Sequence, residues 1–443
     1  MKCRRGWLVL LLGLTLVRGL IYAAITPPWQ APDEWGHFEH VWLIAQLGRL
    51  PTPEDVSPIF ERELMASLYE WRYDEFFGGP LPERMPARLM AIQPRTVLMQ
   101  RFSLAYLWSA CFLLPFRYQD LVFQLYVARL SSVVLNVVIV WLAWRIFEEL
   151  LPRQPGLVVA MTAFMVFLPQ HTFINASVGE GPLAELAAGV VLYGWLRLLR
   201  RERAWGVVAV LGGTLIGVWT KTTAVFLLPL DVLMSVLLLT SRYHGAAWRR
   251  RWKYLILSFV LIFLLGLVAF RTPSGQRVRT MLEQWWSAPQ VHLENGGLSW
   301  NQVLWYTYDS FWAQFGWMNV RAGPGWYVLV YILTVWAIEG WVLPRSHCRL
   351  VSSQAKGVLG SALLLAVGVW LAFVLFTPSG LGYYQGRYLF PVTVPTALFL
   401  VGGWVRSMPE RWQRYSAPGV VILLAALDAA AFCLALWPFF YTQ

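Results

Sequence analysis

The sequence is poor in charged residues, in cysteines and in the motifs of soluble enzymes. Only 14% of the residues are charged. The four cysteines (Cys3, Cys111, Cys348 and Cys433) are too scattered for a CxxC metal site or a disulfide framework. No glycine-rich phosphate loop, GxSxG or HExxH pattern occurs. These absences exclude the common soluble nucleotide-binding, serine-hydrolase and zinc-peptidase classes.

What the chain has instead is apolar sequence. Of its 443 residues 58% are hydrophobic and 26 are tryptophan, a composition typical of polytopic membrane proteins. The formal net charge is +12, but the basic residues cluster between apolar runs and lack the interleaved aromatics of a nucleic-acid surface. We therefore expect a lipid bilayer, and no nucleic acid, as partner.

Eleven apolar runs are long enough to be read as membrane spans. They are residues 7–25, 121–144, 156–170, 182–197, 205–220, 222–240, 254–270, 325–343, 357–376, 388–405 and 417–437. The first run is long and interrupted by Arg18, which favours an uncleaved span over a signal peptide. The sequence predicts one all-α domain over 1–443, a bundle of about eleven spans.

The distribution of lysine and arginine predicts the orientation of the bundle. With the N-terminus inside, every inside segment is basic. These segments are residues 2–5, 145–153, 197–203, 242–253, 345–356 and 406–414. The short outside connections hold only Lys221 and Arg387. We expect an N-in, C-out protein of the plasma membrane whose active face is extracytoplasmic.

Two long outer loops are predicted, over 26–120 and 271–324. A loop of 95 residues is too long to be a plain connector. We expect an in-plane helix over 35–47, a charged stretch over 53–90, and re-entrant or interfacial apolar pieces at 103–116 and 303–320. The aromatic residues of the second loop suit either an interfacial belt or a platform for sugar rings.

Titratable residues are concentrated directly after the first span. Pro32 suits the first position of a helix, which would put Asp33 and Glu34 in its first turn. On such a helix Asp33, His37 and His40 share one face. Two interpretations are open: an active or ligand-binding site, or a solvated, structural helix start.

Four ionisable residues fall inside predicted spans, where they usually face a cavity or a partner. Arg129 either binds a lipid-linked phosphate or neutralises Asp33 and fixes the loop. A structural role is favoured for Arg18. Asp231 and Asp428 have no obvious partner in the sequence and suit hydrogen bonds between spans.

Four motifs, in order along the chain, resemble a bacterial family of multi-pass membrane proteins, the domain-of-unknown-function family 2142. They are residues 32–38 (PDEWGHF), 217–222 (GVWTKT), 315–317 (FGW) and 385–391 (QGRYLFP). That family is similar to the GT-C glycosyltransferases, which transfer a sugar from a polyprenyl-phosphate carrier to an acceptor at the outer face. The chain departs from it at Trp35 and at 179–181, where Glu180 either replaces a missing acid or that acidic position is lost.

The resemblance implies a glycosyltransferase acting on a lipid-linked sugar donor and an unidentified glycan, lipid or protein acceptor. Asp33 is the expected base, with Glu34 as the alternate, since an acceptor hydroxyl must lose its proton. The remaining site residues are those expected to bind phosphate or sugar (Lys221, Arg387, Arg129, Tyr384, Gln385 and Tyr388) and those expected to support them (His37, His40 and Glu180).

Three alternatives stay open at the level of sequence. Lys221 suits snorkelling to the interface as well as phosphate binding. The sequence specifies no certain cofactor, and Asp33, His37 and His40 are possible ligands of a divalent metal. The whole protein suits a non-catalytic lipid-glycan handler, such as a flippase or transporter, or a structural subunit of a membrane complex.

Overall fold

The computed structural model describes most of the chain. The described residues are 2–52, 54–55, 57–76, 81, 83–85, 103–200, 203–242, 300–343, 352–376, 384–413 and 415–442. The predicted span at 254–270, the second outer loop up to residue 299, most of the stretch 77–102 and most of two basic inside segments (242–253 and 345–356) lie outside these residues.

Helices make up nearly all of the described structure. They are α1 (Lys2–Ile25), α2 (Glu34–Leu47), α3 (Pro58–Glu70), α4 (Tyr73–Phe76), α5 (Leu104–Leu113), α6 (Leu121–Leu150), α7 (Pro155–Phe167), α8 (Pro169–Asn175), α9 (Gly181–Leu199), α10 (Arg203–Thr220), α11 (Leu227–Arg242), α12 (Trp300–Trp312), α13 (Pro324–Val342), α14 (Ser353–Phe376), α15 (Thr393–Ser407), α16 (Glu410–Gln413), α17 (Ser416–Ala431) and α18 (Trp437–Tyr441). Short 3₁₀ segments at Leu114–Phe116, Thr222–Phe226 and Gly386–Val392, and a π-helical turn at Phe432–Leu436, connect some of them.

Seven of the described helical segments are long and apolar enough to cross a membrane. They are Arg5–Ile25, Leu121–Leu150, Gly181–Leu199, Pro324–Val342, Ala355–Ala372, Gly386–Ser407 and Ser416–Tyr441. The pair α7 and α8 makes an eighth candidate if its two helices form one span. The runs at 205–220 and 222–240 form shorter apolar helices. A multi-pass helical bundle is therefore present, while the count of eleven and the orientation stay predictions.

The predicted span at 156–170 is broken. Helices α7 and α8 are bent by 59° relative to each other. Leu168 has an extended backbone at the break, and Pro169 opens α8. Proline has no N–H to continue the helical ladder, so the chain turns there. The short helix α8 consequently lies buried in the interior of the bundle.

The helix predicted at 35–47 is confirmed as α2, but two details of the prediction are wrong. The helix begins at Glu34, and Asp33 precedes it as the N-cap in a left-handed conformation, with φ 62°. Pro32 is therefore outside the helix rather than its first residue. Twelve of its 14 residues are buried. A solvated helix start does not fit this environment, because α2 packs inside the protein.

One small sheet interrupts the otherwise helical structure. Strands β1 (Gln314–Phe315) and β2 (Val320–Arg321) pair antiparallel and form a hairpin directly after α12. The apolar piece expected at 303–320 is thus a helix followed by this hairpin. The all-α prediction holds for the described residues apart from these two strands.

Buried polar contacts tie the spans together. The guanidinium of Arg18 forms an ion pair with Asp428 and also donates to Thr172 Oγ1 at 2.9 Å, which links α1, α17 and α8. Asp231 accepts hydrogen bonds from Trp195 Nε1 at 2.7 Å and from Thr214 Oγ1 at 2.5 Å. Asp428 and Asp231 therefore each link neighbouring helices, and the contacts of Arg18 are structural.

Candidate functional site

Two motifs that are more than 350 residues apart in the sequence meet in one ion pair. Arg387 Nη2 donates to Asp33 Oδ2 at 2.7 Å, and Arg387 Nη1 donates to the carbonyl of Pro32 at 3.3 Å. The Asp33 side chain is 43% exposed, whereas that of Arg387 is 11% exposed. The site therefore has a partly exposed carboxylate that forms an ion pair with a nearly buried cation.

Gly386 allows Arg387 to approach α12 closely. A Cβ atom at Gly386 would lie 2.3 Å from the backbone nitrogen of Phe311, a distance no side chain tolerates. The amide of Gly386 donates to Ser310 Oγ at 2.8 Å. The 3₁₀ segment that carries Arg387 is thus packed directly on the backbone of α12.

A second cation faces the same aromatic ring as Arg387. Lys221 lies at the break between α10 and the 3₁₀ segment Thr222–Phe226, where its backbone is extended. Its Nζ is 4.9 Å from the centre of the Tyr388 ring, and the Arg387 guanidinium carbon is 5.4 Å from that centre. Tyr388 therefore brings two positive charges together beside Asp33.

Aromatic and amide groups from the same region extend the site toward α12. The ring of Tyr384 packs edge-on against Tyr306, with centroids 5.0 Å apart. Thr307 Oγ1 donates to the carbonyl of Tyr384 at 2.6 Å. The buried Oε1 of Gln385 has no hydrogen-bond partner among the residues that the structure describes. Burial raises the pKa of Tyr306 to about 12, so its hydroxyl stays protonated at neutral pH.

Glu180 and His37 are joined through Tyr106, a residue that the sequence analysis missed. His37 Nδ1 is 2.8 Å from the Tyr106 hydroxyl, which donates to Glu180 Oε1 at 3.1 Å. The turn around Glu180 also approaches Lys221: a Cβ at Gly181 would lie 4.0 Å from Lys221 Nζ. Tyr106 belongs to an apolar helix with no motif, so no local signal in the sequence marks it.

His40 belongs to the same cluster but does not complete a metal site. Its ring stacks on Tyr106, with centroids 4.9 Å apart. Within the described part of the chain, no group of three or more His, Cys, Asp or Glu side chains could hold a metal ion. The predicted set of Asp33, His37 and His40 is therefore not brought together as a metal centre.

Glu34 and Arg129 form a separate, fully buried ion pair. Arg129 donates to both carboxylate oxygens of Glu34, at 2.8 and 2.6 Å, and both side chains are 0% exposed. Its other donors bind the carbonyls of Ala23, Thr26 and Pro27. All five donors of the guanidinium are thus used. Arg129 therefore neutralises Glu34 rather than Asp33, and its bonds to the backbone carbonyls fix the loop after α1.

Fold and site together define a multi-pass membrane protein with two neighbouring cations, Lys221 and Arg387, next to an accessible carboxylate, Asp33. Residues 120–269, about a third of the chain, match the family described as dolichyl-phosphate-mannose-protein mannosyltransferase. The match includes Lys221 and Glu180 but not Asp33 or Arg387. It supports a GT-C-like class, that of membrane glycosyltransferases with a lipid-linked sugar donor. No curated protein sequence matches this chain.

Proposed function

We propose that this protein transfers a sugar from a polyprenyl-phosphate carrier to an acceptor hydroxyl at the outer face of the plasma membrane. The observation that carries the proposal is the contact between Asp33 and Arg387, with Lys221 beside them. It joins a carboxylate able to accept a proton to two cations able to bind a phosphate. The match of residues 120–269 to the mannosyltransferase family supports the same reaction class.

The two cations would bind the phosphate of the donor and of the departing carrier. As the bond between the anomeric carbon and the phosphate oxygen breaks, the carrier leaves with the electron pair and gains negative charge. Preorganised cations stabilise such a leaving group because they need no rearrangement during the reaction. Arg387 and Lys221 are preorganised by the Tyr388 ring that both contact.

Asp33 would take the proton of the acceptor hydroxyl as that oxygen forms a bond to the anomeric carbon, with inversion. Arg387 binds Oδ2 of the carboxylate, and the Asp33 side chain remains 43% exposed. Glu34, the alternate base, is fully buried against Arg129. We therefore assign Asp33 to chemistry and Glu34 to holding the loop.

Tyr388, Tyr384 and Gln385 would contact the sugar or the phosphate, and Glu180 with His37 would support the pocket from the opposite side. The basic inside segments favour the outer face for this pocket, because they alternate with the loops that hold Lys221 and Arg387. The donor named in the description of the matched family, dolichyl-phosphate mannose, is the first donor class to test.

The test is transfer by purified protein with polyprenyl-phosphate-linked hexoses and pentoses. Asp33→Asn should lower kcat by about 10²-fold or more, the usual contribution of a general base. Asp55→Asn is the matched control, since Asp55 belongs to the same predicted loop but pairs with Arg49 instead of Arg387. Full activity of Asp33→Asn would remove Asp33 as base. No turnover by the wild type would favour the non-catalytic handling of lipid-linked glycans.

A further inference from the structure

The backbone turn that precedes Asp33 is conformationally demanding. Within five residues, Trp29 and Asp33 both have left-handed backbone conformations, with φ 69° and 62°. Side chains other than glycine adopt this region rarely, and such residues persist where their surroundings hold them. The direction of the Asp33 carboxylate therefore depends on contacts that fasten this turn.

The hairpin of β1 and β2 lies directly against the turn. Trp317, at the tip of the hairpin, donates its indole N–H to the carbonyl of Trp29 at 2.8 Å. The Trp29 side chain is fully buried and donates to Ser67 Oγ at 2.9 Å. The Trp317 ring packs edge-on against Tyr73, whose carbonyl accepts from Gln30 of the same turn. Trp317 thus contacts both the turn and Tyr73, the first residue of α4.

The hairpin itself is anchored to the body of the protein at both sides of Trp317. The backbone N–H of Gln314 donates to Gln170 Oε1 at 2.7 Å, which attaches the hairpin to α8. Asn319 Nδ2 donates to the carbonyl of Phe76 at 2.6 Å, which attaches it to α4. Because the hairpin is attached to α8 and α4, Trp317 has a fixed position from which it can restrain the turn.

The FGW motif at 315–317 has one structural role for each residue. Phe315 is fully buried and packs against the rings of Tyr22 and Phe173. Gly316 has φ 60°, and a Cβ there would lie 2.5 Å from Asn319 Oδ1, so the tight tip requires glycine. These two residues orient the third, Trp317, toward the turn.

We infer that Trp317 is a positioning residue that acts on Asp33 through the carbonyl of Trp29. The indole hydrogen bond holds the turn in the conformation that directs the Asp33 carboxylate to Arg387 and to the acceptor. Its effect on catalysis rests on the proposed function, whereas its effect on the Asp33–Arg387 contact does not. The two effects are measured separately.

The first experiment compares two tryptophan variants in the transfer assay. Trp317→Phe removes the N–H donor and keeps an aromatic ring. Trp326→Phe is the matched control, because Trp326 also donates its indole N–H to a backbone carbonyl, that of Leu427, between α13 and α17. We expect Trp317→Phe to lower kcat at least about tenfold and to leave the donor KM within about twofold, since misdirected groups lose rate. Trp326→Phe should leave both within about twofold.

The second experiment needs no activity. The shift in Tm caused by Asp33→Asn is measured in wild type, Trp317→Phe and Trp326→Phe, with the full-length protein in detergent. If Trp317 directs Asp33 to Arg387, the shift in the Trp317→Phe background should fall to about half or less, because coupled residues are not additive. It should be unchanged in the Trp326→Phe background. Equal shifts in all three backgrounds would overturn the inference.

The outcomes separate the two proposals. Reduced Tm shifts without any sugar transfer by the wild type would support the positioning role and refute the proposed function. Sugar transfer by the wild type together with equal Tm shifts would support the proposed function and refute the positioning role of Trp317. If Trp317→Phe fails to fold, benzothienylalanine at position 317 replaces the N–H by sulfur at nearly constant ring size, and the same comparison then decides the inference.

Discussion

The ammonium group of Lys221 lies over the ring of Tyr388, with its nitrogen 4.9 Å from the ring centre. The guanidinium of Arg387 lies 5.4 Å from the same centre. One aromatic side chain therefore contacts two cations, one that follows α10 and one that follows α14 in the sequence. This arrangement suits an anion with several oxygens better than it suits a single carboxylate.

Removing the Lys221 charge should weaken the binding of polyprenyl phosphate. We expect Lys221→Met to raise the Kd about tenfold, equivalent to about 1.4 kcal/mol, and to reduce the salt dependence of binding. Lys356→Met is the control, since Lys356 also lies over an aromatic ring, that of Trp341, but outside the pocket. Titration of each purified variant with the lipid phosphate, at several salt concentrations, measures the Kd and its salt dependence. Equal effects of the two variants would contradict phosphate binding by Lys221.

Breaking the buried pair of Glu34 and Arg129 should destabilise the fold. Arg129→Met leaves the Glu34 carboxylate buried without its cation, which costs about 3–5 kcal/mol of unfolding free energy. The double variant with Glu34→Gln should regain part of this loss. Removing the exposed pair of Arg145 and Glu148 should cost about 1 kcal/mol or less.

Unfolding measurements on detergent-solubilised protein test this prediction of stability. The affinity for polyprenyl phosphate distinguishes the two roles considered for Arg129. If Arg129 binds only Glu34 and the backbone carbonyls near the end of α1, the folded fraction of Arg129→Met should bind the lipid with a Kd close to that of the wild type. A Kd raised as much as in Arg387→Met would instead place Arg129 on the phosphate.

The hydroxyl of Tyr106 should matter to transfer because it joins His37 to Glu180. We expect Tyr106→Phe and Glu180→Gln each to lower kcat/KM about tenfold. The double variant should be little worse than either single one, since groups that act as a unit are not additive. Tyr118→Phe, at a residue 82% exposed, is the control. Additive losses would show that the chain of hydrogen bonds does not act as a unit.

A methyl group at position 386 should displace Arg387. In Gly386→Ala the new Cβ would meet the backbone of Phe311 at 2.3 Å, so the 3₁₀ segment must move away from α12. We expect a lower Tm and a loss of transfer activity. Gly212→Ala, where a Cβ meets nothing within 4 Å, should instead stabilise its helix by about 0.5–1 kcal/mol. Thermal unfolding and the transfer assay of both variants check this.

Local sequence determined most of the architecture. Long apolar runs require helices in a bilayer, because every backbone polar group must be satisfied within its own segment. Among the described residues, most of the predicted apolar runs coincide with helices to within a few residues, and the helix predicted at 35–47 begins at Glu34. The prediction of Pro32 as the first helical residue is wrong. The sequence also predicts Asp33 and Arg387 in one site, since both belong to loops of the same predicted face, but it does not predict the ion pair between them.

The tertiary structure decided which charge meets which. Asp33 and Glu34 are neighbours in the sequence, yet one side chain is 43% exposed against Arg387 and the other is fully buried against Arg129. Asp33 precedes the helix with a left-handed backbone, whereas Glu34 is the first residue of the helix. Such a conformation is held by distant contacts, among them the bond from Trp317 to Trp29. Pairings of this kind depend on chain segments that only folding brings together.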